Sequence, residues 1–284
     1  MELKYINESK TCQIEDKAGV TFITFPGLNE YKNMLVHGFS TRLGGVSKAH
    51  LSSMNLSFSR GDERENVLEN HRRFAKALGY NEKDLVFSNQ VHKTNFHIVT
   101  KEDKGKGIIK ESDILEIDGL VTDEKDIPII TFFADCVPIF LFDPQKEVIA
   151  LVHSGWRGTV EKISAKMVAL MENQYGCQPV DIRCAIAPSI CYNCYEVSED
   201  VAGQFIDKFG DGKDLLCRKE NRKYQLNLHR ACEMTLLDAG ISKEHIDITD
   251  LCTCCNPDFF FSHRASHGMR GNLAAVMMLK SENE

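Results

Sequence analysis

The sequence lacks any apolar run long enough to cross a membrane. The longest, Ile127 to Phe142, is interrupted by Pro128, Asp135 and Pro138, whereas a spanning helix needs about 18 or more apolar residues. The first ten residues contain no apolar core of the kind found in signal peptides. We therefore expect a cytoplasmic protein that does not associate with membranes.

Basic charge is also scarce. The chain carries 34 Lys and Arg against 41 Asp and Glu, which gives a net charge of −7. Its basic residues form no stripe, and proteins bind phosphate backbones mainly through clustered Lys and Arg. Nucleic acid is therefore not an expected partner.

The 11 cysteines are an odd number in a long chain without an export signal, which favours reduced thiols and metal ligands over disulfides. One group is a CxxC at Cys191 and Cys194, and another is a CxCC at Cys252, Cys254 and Cys255. Together they could form a four-cysteine structural zinc site. However, residues 195–251 separate the groups and neither resembles a zinc-ribbon knuckle, so small buried residues are the preferred interpretation.

Hydrophobic patterning predicts strands and helices in alternation. Nearly continuous apolar segments at Ile127–Phe133, Ile139–Phe142 and Val148–Val152 predict buried strands. Helical spacing of apolar residues predicts helices at Asp62–Leu78 and Gly158–Tyr175. Shorter segments predict strands at Val20–Phe25, Met34–Phe39, Leu85–Val91, Asn95–Thr100, Asp181–Ala187, Ile246–Cys252 and Leu273–Leu279, and helices at Ser198–Phe209 and Leu228–Ala239. We expect one α/β domain over residues 1–284, with its core at about 20–280 and its helices outside.

Polar side chains follow three of the predicted strands, where they could reach a cleft from a rigid base. They include His92, Cys136 and His153. Two histidines and one cysteine are a plausible zinc set that leaves the fourth position open for catalysis. These three residues are far apart in the sequence, so their spacing matches no local metal-binding motif. A buried thiol with two hydrogen-bonded histidines therefore remains an alternative, as does Cys136 acting as a nucleophile with His153 as its base.

A fourth segment, Ser40 to Ser47, also follows a predicted strand. Its adjacent glycines, Gly44 and Gly45, permit close backbone approach to a ligand. Arg42 could bind a phosphate or carboxylate with both arms of its guanidinium group. A surface arginine in a tight turn is the alternative.

Several motifs now coincide along the chain. In order they are HGFSTRLGGVS (37–47), NQVH (89–92), DGLVTD (118–123), ADCVPI (134–139), VHSGWRGT (152–159), YEV (195–197) and FFSHR (260–264). This series resembles the laccase-domain family, once described as multicopper polyphenol oxidases. The resemblance covers about residues 20 to 280, and its most specific elements are ADC and VHSGWRG.

The resemblance implies a fold of two mixed β-sheets packed together with helices outside. It also implies metal ligation by His92, Cys136 and His153, with Zn²⁺ as the expected ion and Cu²⁺ as the alternative. Members that this chain resembles phosphorolyse adenosine, inosine and methylthioadenosine to the base and a pentose 1-phosphate, and they deaminate adenosine. The expected partners are therefore a purine nucleoside and inorganic phosphate, in a monomer or homodimer.

Other members imply other activities. Some are linked to copper-dependent phenol oxidation, but the chain has only 10 histidines and no His-x-His pair, which argues against a multicopper centre. Copper could still compete for a nitrogen and sulfur site. Some bacterial members are linked to editing of peptidoglycan precursors, which a cysteine- or metal-dependent amide hydrolase would perform. A non-catalytic metal-binding partner protein is a further alternative.

Under the nucleoside interpretation each remaining candidate has an expected role. Asp135 would carry a proton or orient a metal ligand. Arg42 is the first candidate for a phosphate clamp and Arg264 the second, while Ser40 and Gln90 would contact the nucleoside.

The sequence departs from the family pattern near its end. Between Ser262 and Gly271 the expected second arginine and acid are absent, and His263 replaces a tyrosine. This departure concerns the preferred substrate more than the metal site.

Overall fold

The structure, a computed structural model, describes residues 2–281. Within that range the helices are α1 (Pro26–Asn29), α2 (Arg64–Leu78), α3 (Trp156–Val160), α4 (Ile163–Tyr175), α5 (Glu199–Phe209) and α6 (Leu228–Asp238). The strands are β1 (Gln13–Lys17), β2 (Val20–Thr24), β3 (Leu35–Ser40), β4 (Val86–Phe87), β5 (Phe96–Ile98), β6 (Gly119–Thr122), β7 (Ile129–Phe133), β8 (Val137–Asp143), β9 (Val148–Ser154), β10 (Arg183–Ile186), β11 (Glu196–Val197), β12 (Leu216–Arg218), β13 (Tyr224–Leu226), β14 (Ile246–Ile248) and β15 (Leu273–Leu279).

These strands form two six-stranded sheets and a small third one. Sheet A has the order β1-β2-β3-β15-β7-β4, and sheet B has the order β14-β10-β8-β9-β6-β5. Both are mixed, because β4 runs parallel to β7 in sheet A, and β10–β14 and β5–β6 are parallel pairs in sheet B. The small sheet has the order β11-β13-β12. The predicted pair of mixed sheets is confirmed.

The side chains of β9 show how the layers pack. Ile149 and Leu151 lie in a cluster with Phe133 and Ala275 of sheet A. Ala150, between them, faces the other way and joins the cluster formed with α4 and α6. Successive residues of a strand point to opposite faces, so a strand buried on both sides is apolar throughout. A corresponding cluster lies between α2 and the outer face of sheet A.

Several predicted elements are shorter in the structure, such as the strand predicted from Ile246 to Cys252, which ends at Ile248. Two further differences have a clear local cause. The helix predicted from Gly158 to Tyr175 is instead two helices, because Lys162 adopts a left-handed backbone (φ 54°) at the start of α4. The strand predicted from Leu85 to Val91 is confined to β4. Beyond β4, the side-chain amide of Gln90 takes the place of backbone pairing with β7. This amide donates a hydrogen bond to the carbonyl of Phe132 and accepts one from the N–H of Phe132, each at 2.7 Å. Strands β1 and β6 and the small sheet were not predicted.

Among residues 2–281, none of the helices is long and apolar enough to span a bilayer.

Candidate functional site

Three strand ends bring His92, Cys136 and His153 to one point. Cys136 immediately precedes β8, and His153 is the penultimate residue of β9. The β8–β9 register pairs Val137 with Ser154, so Cys136 and His153 lie at the same end of sheet B. His92 arrives on the loop after β4. The three potential ligand atoms lie within 4.8 Å of one another, so these residues could hold a metal ion together.

Asp118 fixes the orientation of two of these residues. It is fully buried immediately before β6, and its carboxylate accepts backbone hydrogen bonds from Val91 (3.2 Å), His92 (2.9 Å) and Lys93 (2.9 Å). Its Oδ1 also lies 2.8 Å from Nδ1 of His153. The Nε2 of His153 is therefore left for another ligand. Sequence reasoning did not identify Asp118, although it begins the conspicuous DGLVTD motif.

The electrostatics favour a thiolate at Cys136. Burial raises the pKa of this thiol, but the charge and hydrogen bond of His153 and the contact with His92 outweigh it and lower the pKa to about 6. Burial lowers the pKa of His153, but the Cys136 thiolate and the Asp118 carboxylate raise it to about 9. The thiolate is the form that binds metals and acts as a nucleophile.

The donor set and the space around it fit a metal ion. Sγ of Cys136 lies 3.8 Å from Nε2 of His92, which is the separation expected of two ligands held at about 2.3 and 2.1 Å from one ion. Gly155 leaves the necessary room, because a Cβ there would lie 2.7 Å from Cδ2 of His92 and 3.3 Å from the Cys136 sulfur. The site is thus a two-nitrogen, one-sulfur set of the kind that leaves a coordination position open.

Two residues beside the site have left-handed backbones. His92 has φ 62° and Asp135 has φ 86°, values that L-residues rarely adopt and that cluster at functional sites. Asp135 is buried, and both of its oxygens accept hydrogen bonds, from the hydroxyl of Thr253 (2.7 Å) and the backbone N–H of Arg264 (2.6 Å). The carboxylate of Asp135 therefore connects the loop that carries Cys136 to the segment that carries Arg264.

Two cavities meet at the metal site. The first, here called the Arg270 cavity, has a volume of about 430 Å³; its walls include Phe58, Arg60, Phe87, Gln90, Phe132 and Arg270. The second, the Tyr195 cavity, has a volume of about 520 Å³ and is lined by Asp135, Trp156, Arg157, Tyr195, His263 and Arg264, with Arg270 again at its edge. His92 and Cys136 line both cavities. The arrangement offers a potential metal site, cationic groups and aromatic rings to one ligand.

Of the other predicted site residues, two line the cavities at the site and two lie elsewhere. Gln90 and Arg264 line the two cavities, one each. Ser40 is fully buried in sheet A, where its hydroxyl accepts from the N–H of Ala274 (2.9 Å). Arg42 lines a different cavity, shared with Arg270, and donates to the carbonyls of Ser52 (2.8 Å) and Pro257 (2.6 Å). Its guanidinium group thus already has protein partners.

Arg60 and Arg270 were not among the predicted site residues. Burial and the positive charge of Arg60 lower the pKa of Arg270 to about 10. Among residues 2–281, the buried Nε of Arg270 has no hydrogen-bond partner. No pattern in the sequence brings these two arginines together, since they belong to segments far apart in the chain.

Comparison with known proteins places these features in context. A family model described as multi-copper polyphenol oxidoreductase laccase matches residues 36–280. The chain is 33% identical to the purine nucleoside phosphorylase YlmD of Bacillus subtilis over 254 residues, which are 89% of this chain and 91% of that protein. It is 35% identical to the protein of the same name from Geobacillus stearothermophilus over 249 residues, 87% of this chain and 91% of that one.

The likeness extends to a solved structure. The crystal structure of YlmD from Geobacillus stearothermophilus superimposes with a TM-score of 0.87 at 33% identity. The match covers 95% of this chain and 99% of that one.

Proposed function

Because the chain belongs to the multi-copper polyphenol oxidoreductase laccase family, we propose that it is a purine nucleoside phosphorylase acting on adenosine, inosine or methylthioadenosine. One observation carries the proposal: the ligand set of His92, Cys136 and His153 lies where a cavity with two arginines meets a cavity with two large aromatic rings. Relatives that match this chain over most of their length are named for this activity.

The metal that we propose is zinc, with copper as the alternative. Thiolate and imidazole ligands suit both ions, and three protein ligands with an open fourth position are typical of catalytic zinc. A zinc ion bound here would supply Lewis-acid polarisation of a substrate oxygen. The chain itself contributes the alignment, since Asp118 orients His153 and the loop of His92.

We assign the phosphate to Arg60 and Arg270. The two guanidinium groups line one cavity, and the charge of Arg60 lowers the pKa of Arg270, an effect that an anion bound between them would offset. The unpartnered Nε of Arg270 supplies a free donor. A phosphate held there would attack C1′ of the pentose as the bond from C1′ to the base nitrogen breaks, and the leaving base would take up a proton. We prefer this pair to Arg42, because Nε and Nη1 of Arg42 already donate to protein carbonyls.

The nucleoside would then occupy the Tyr195 cavity. Trp156 and Tyr195 line this cavity and supply aromatic surface for a purine, and the guanidinium group of Arg264 lies 5.3 Å from the centre of the Tyr195 ring. Arg264 is held by the backbone carbonyls of Cys194 and Glu196, each at 3.0 Å.

Asp135 has two candidate roles in this cavity. Its proton-transfer role stays a prediction, and the two hydrogen bonds that it accepts favour a positioning role for the Arg264 segment. Undiminished turnover in Asp135→Asn would refute the proton role.

The decisive experiment is product analysis of adenosine incubated with the pure protein, with and without inorganic phosphate. We expect adenine and ribose 1-phosphate only with phosphate, and their loss in Cys136→Ser. The exposed Cys217 provides the matched control, since Cys217→Ser should retain full activity. We further propose adenosine deamination at the same site, so inosine should form as a phosphate-independent product. Inosine as the sole product would overturn the phosphorylase assignment.

A second candidate function has its own support. Asp118, His153 and Cys136 form a connected series in which a carboxylate orients an imidazole beside a thiol, as in cysteine hydrolases. Such an enzyme could cleave an amide of a peptidoglycan precursor without a metal. Activity that survives complete removal of the metal by a chelator would favour it, whereas the third donor on His92 favours the metal enzyme.

The donor set does not favour a multicopper oxidase. In the described part of the chain, one potential metal group has two histidines and a cysteine and the other has four cysteines. Neither supplies the histidines of a trinuclear copper cluster. All 11 cysteines are unbridged, which is consistent with the proposed cytoplasmic location.

A further inference from the structure

A second group of potential metal ligands lies outside the cleft. Cys191 and Cys194 form one C-x2-C pair, and Cys252 and Cys255 form another. Their four sulfur atoms lie within 4.8 Å of one another. Cys254, which complicates the second motif in the sequence, is not a member of this group.

The topology explains how two distant pairs meet. Strands β10 and β14 are parallel neighbours in sheet B. A further parallel bridge between Ser189 and Cys252 continues their alignment past the strand ends. Each pair follows immediately after that alignment, so the two turns face each other at one edge of the sheet. The long separation of the pairs in the sequence is therefore no obstacle to a common site.

The distances fit one tetrahedral ion. The sulfur of Cys255 lies 3.4 Å from that of Cys194 and 3.9 Å from that of Cys191. Four thiolates at about 2.3 Å from one zinc ion have separations in this range. A disulfide would require a sulfur–sulfur distance of about 2.05 Å. An iron–sulfur cluster would hold its cysteines further apart, because the inorganic core lies between them.

The hydrogen bonds around these sulfur atoms also favour metal ligands over four small apolar residues. Two backbone N–H groups, of Cys191 (3.2 Å) and Cys255 (3.4 Å), donate to the sulfur of the fully buried Cys252. Such bonds to a ligand atom are the outer contacts that orient metal ligands. Cys194 is only half-buried, although a residue that merely filled the core would be expected to be fully enclosed.

We propose that Cys191, Cys194, Cys252 and Cys255 bind a structural zinc ion, separate from the ion in the cleft. A four-cysteine set closes all positions of a tetrahedral ion and leaves none for catalysis. The ion would join the loop after β10 to the loop after β14.

These two loops build the wall of the Tyr195 cavity. The first carries Tyr195, and the second leads to Arg264. The carbonyl of Cys194 accepts a hydrogen bond from the guanidinium group of Arg264 (3.0 Å), so one proposed zinc ligand directly contacts the wall. The ion would therefore fix the positions of Tyr195 and Arg264 relative to Cys136 in the cleft.

The test is the zinc content per chain, measured by mass spectrometry of the metal after growth with zinc. We expect two zinc ions in the wild type and one in His92→Ala/Cys136→Ser, which lacks the cleft ligands. Cys194→Ser/Cys255→Ser should lose one ion and keep the other. The neighbouring Cys254→Ser is the matched control and should retain two. Zinc absent from the His92→Ala/Cys136→Ser protein would overturn the proposal.

A second measurement applies even if the cysteine variants do not fold. The folded His92→Ala/Cys136→Ser protein can be studied by X-ray absorption at the zinc edge, where we expect four sulfur neighbours at about 2.3 Å. Nitrogen or oxygen neighbours, iron in place of zinc, or a disulfide between these cysteines in the intact mass would each overturn the proposal. None of these readouts depends on nucleoside turnover.

Discussion

Nδ1 of His153 donates a hydrogen bond to Oδ1 of Asp118 across 2.8 Å. Burial raises the pKa of Asp118, but His153 and the backbone N–H groups of the His92 loop outweigh it and lower the pKa. The carboxylate is therefore ionised and can only accept, so the imidazole must carry its proton on Nδ1. The remaining nitrogen, Nε2, is the one that would bind a metal ion, releasing its own proton as it does so.

Asp118→Asn is expected to weaken the binding of the metal. The amide can offer its NH₂ group to His153 and can accept fewer of the three backbone bonds, so both histidine ligands lose alignment. Loss of such an outer contact typically reduces metal affinity by about 10- to 100-fold. Competition with a chromophoric zinc chelator measures the change. The control is Asp123→Asn at the exposed end of the same segment, and equal affinities in both variants would contradict the role of Asp118.

Gly155→Ala is expected to displace His92 and reduce activity. The new Cβ would lie 2.7 Å from the His92 ring, closer than real contacts allow, so the ring must move away from Cys136. Gly203, in α5, is the matched control because a Cβ there meets nothing within 4 Å. Gly203→Ala should leave metal binding intact and could stabilise the helix by up to about 1 kcal/mol. Zinc affinity and phosphorolysis are measured for both variants, and an unaffected Gly155→Ala protein would contradict the proposed crowding.

The layers of the fold were predictable because strands that are buried on both faces consist almost entirely of apolar residues. Strands β8 and β9 are apolar on both faces since a sheet covers one face and helices the other, and β15 was predicted with its observed bounds. The failures have local causes. The left-handed Lys162 interrupts a helix whose apolar spacing continues across it, and β1, which is exposed throughout, lacks the apolar signal on which strand prediction depends.

The site was predictable only in part. His92, Cys136 and His153 were grouped as possible ligands at strand ends, but only the resemblance selected metal binding over the alternatives, because their separations carry no spacing signal. Arg60 and Arg270 meet only through the packing of distant segments, which a single sequence does not reveal. Arg42 shows how a conspicuous motif attracts a functional prediction, since two of its nitrogens also stabilise the loop of Ser52 and Pro257. A loop that must hold its own shape and a loop that binds a ligand use the same residue types.

Arg270→Gln is expected to raise the KM for phosphate with little change in the KM for the nucleoside. A hydrogen bond to a charged group contributes about 1.5–3 kcal/mol, which corresponds to a rise of about 10- to 150-fold. Arg42→Gln is the comparison, because it removes the same charge from the other candidate clamp. Steady-state kinetics with phosphate as the varied substrate decide between them. A larger rise in Arg42→Gln would restore the original assignment and contradict ours.

Mild acid is expected to destabilise the fold through three buried histidines. Burial lowers the pKa of His37 to about 3 and those of His71 and His229 to about 4, compared with about 6.5 in an unfolded chain. Below pH 6.5 the unfolded state binds protons that the folded state excludes, so stability is present above that pH and is lost as the pH falls towards 4. Each histidine contributes a slope of up to about 1.4 kcal/mol per pH unit.

Urea unfolding at several pH values between 4 and 7 measures this dependence. The lowered pKa values of carboxylates such as Asp62 and Asp103 act mainly below the unfolded value of about 3.9, so they contribute little in this window. His153 has the opposite shift and is charged in both states below pH 6.5, so it does not contribute there either. A free energy of unfolding that is constant from pH 6.5 to 4.5 would show that the three imidazoles gain protons within the native fold.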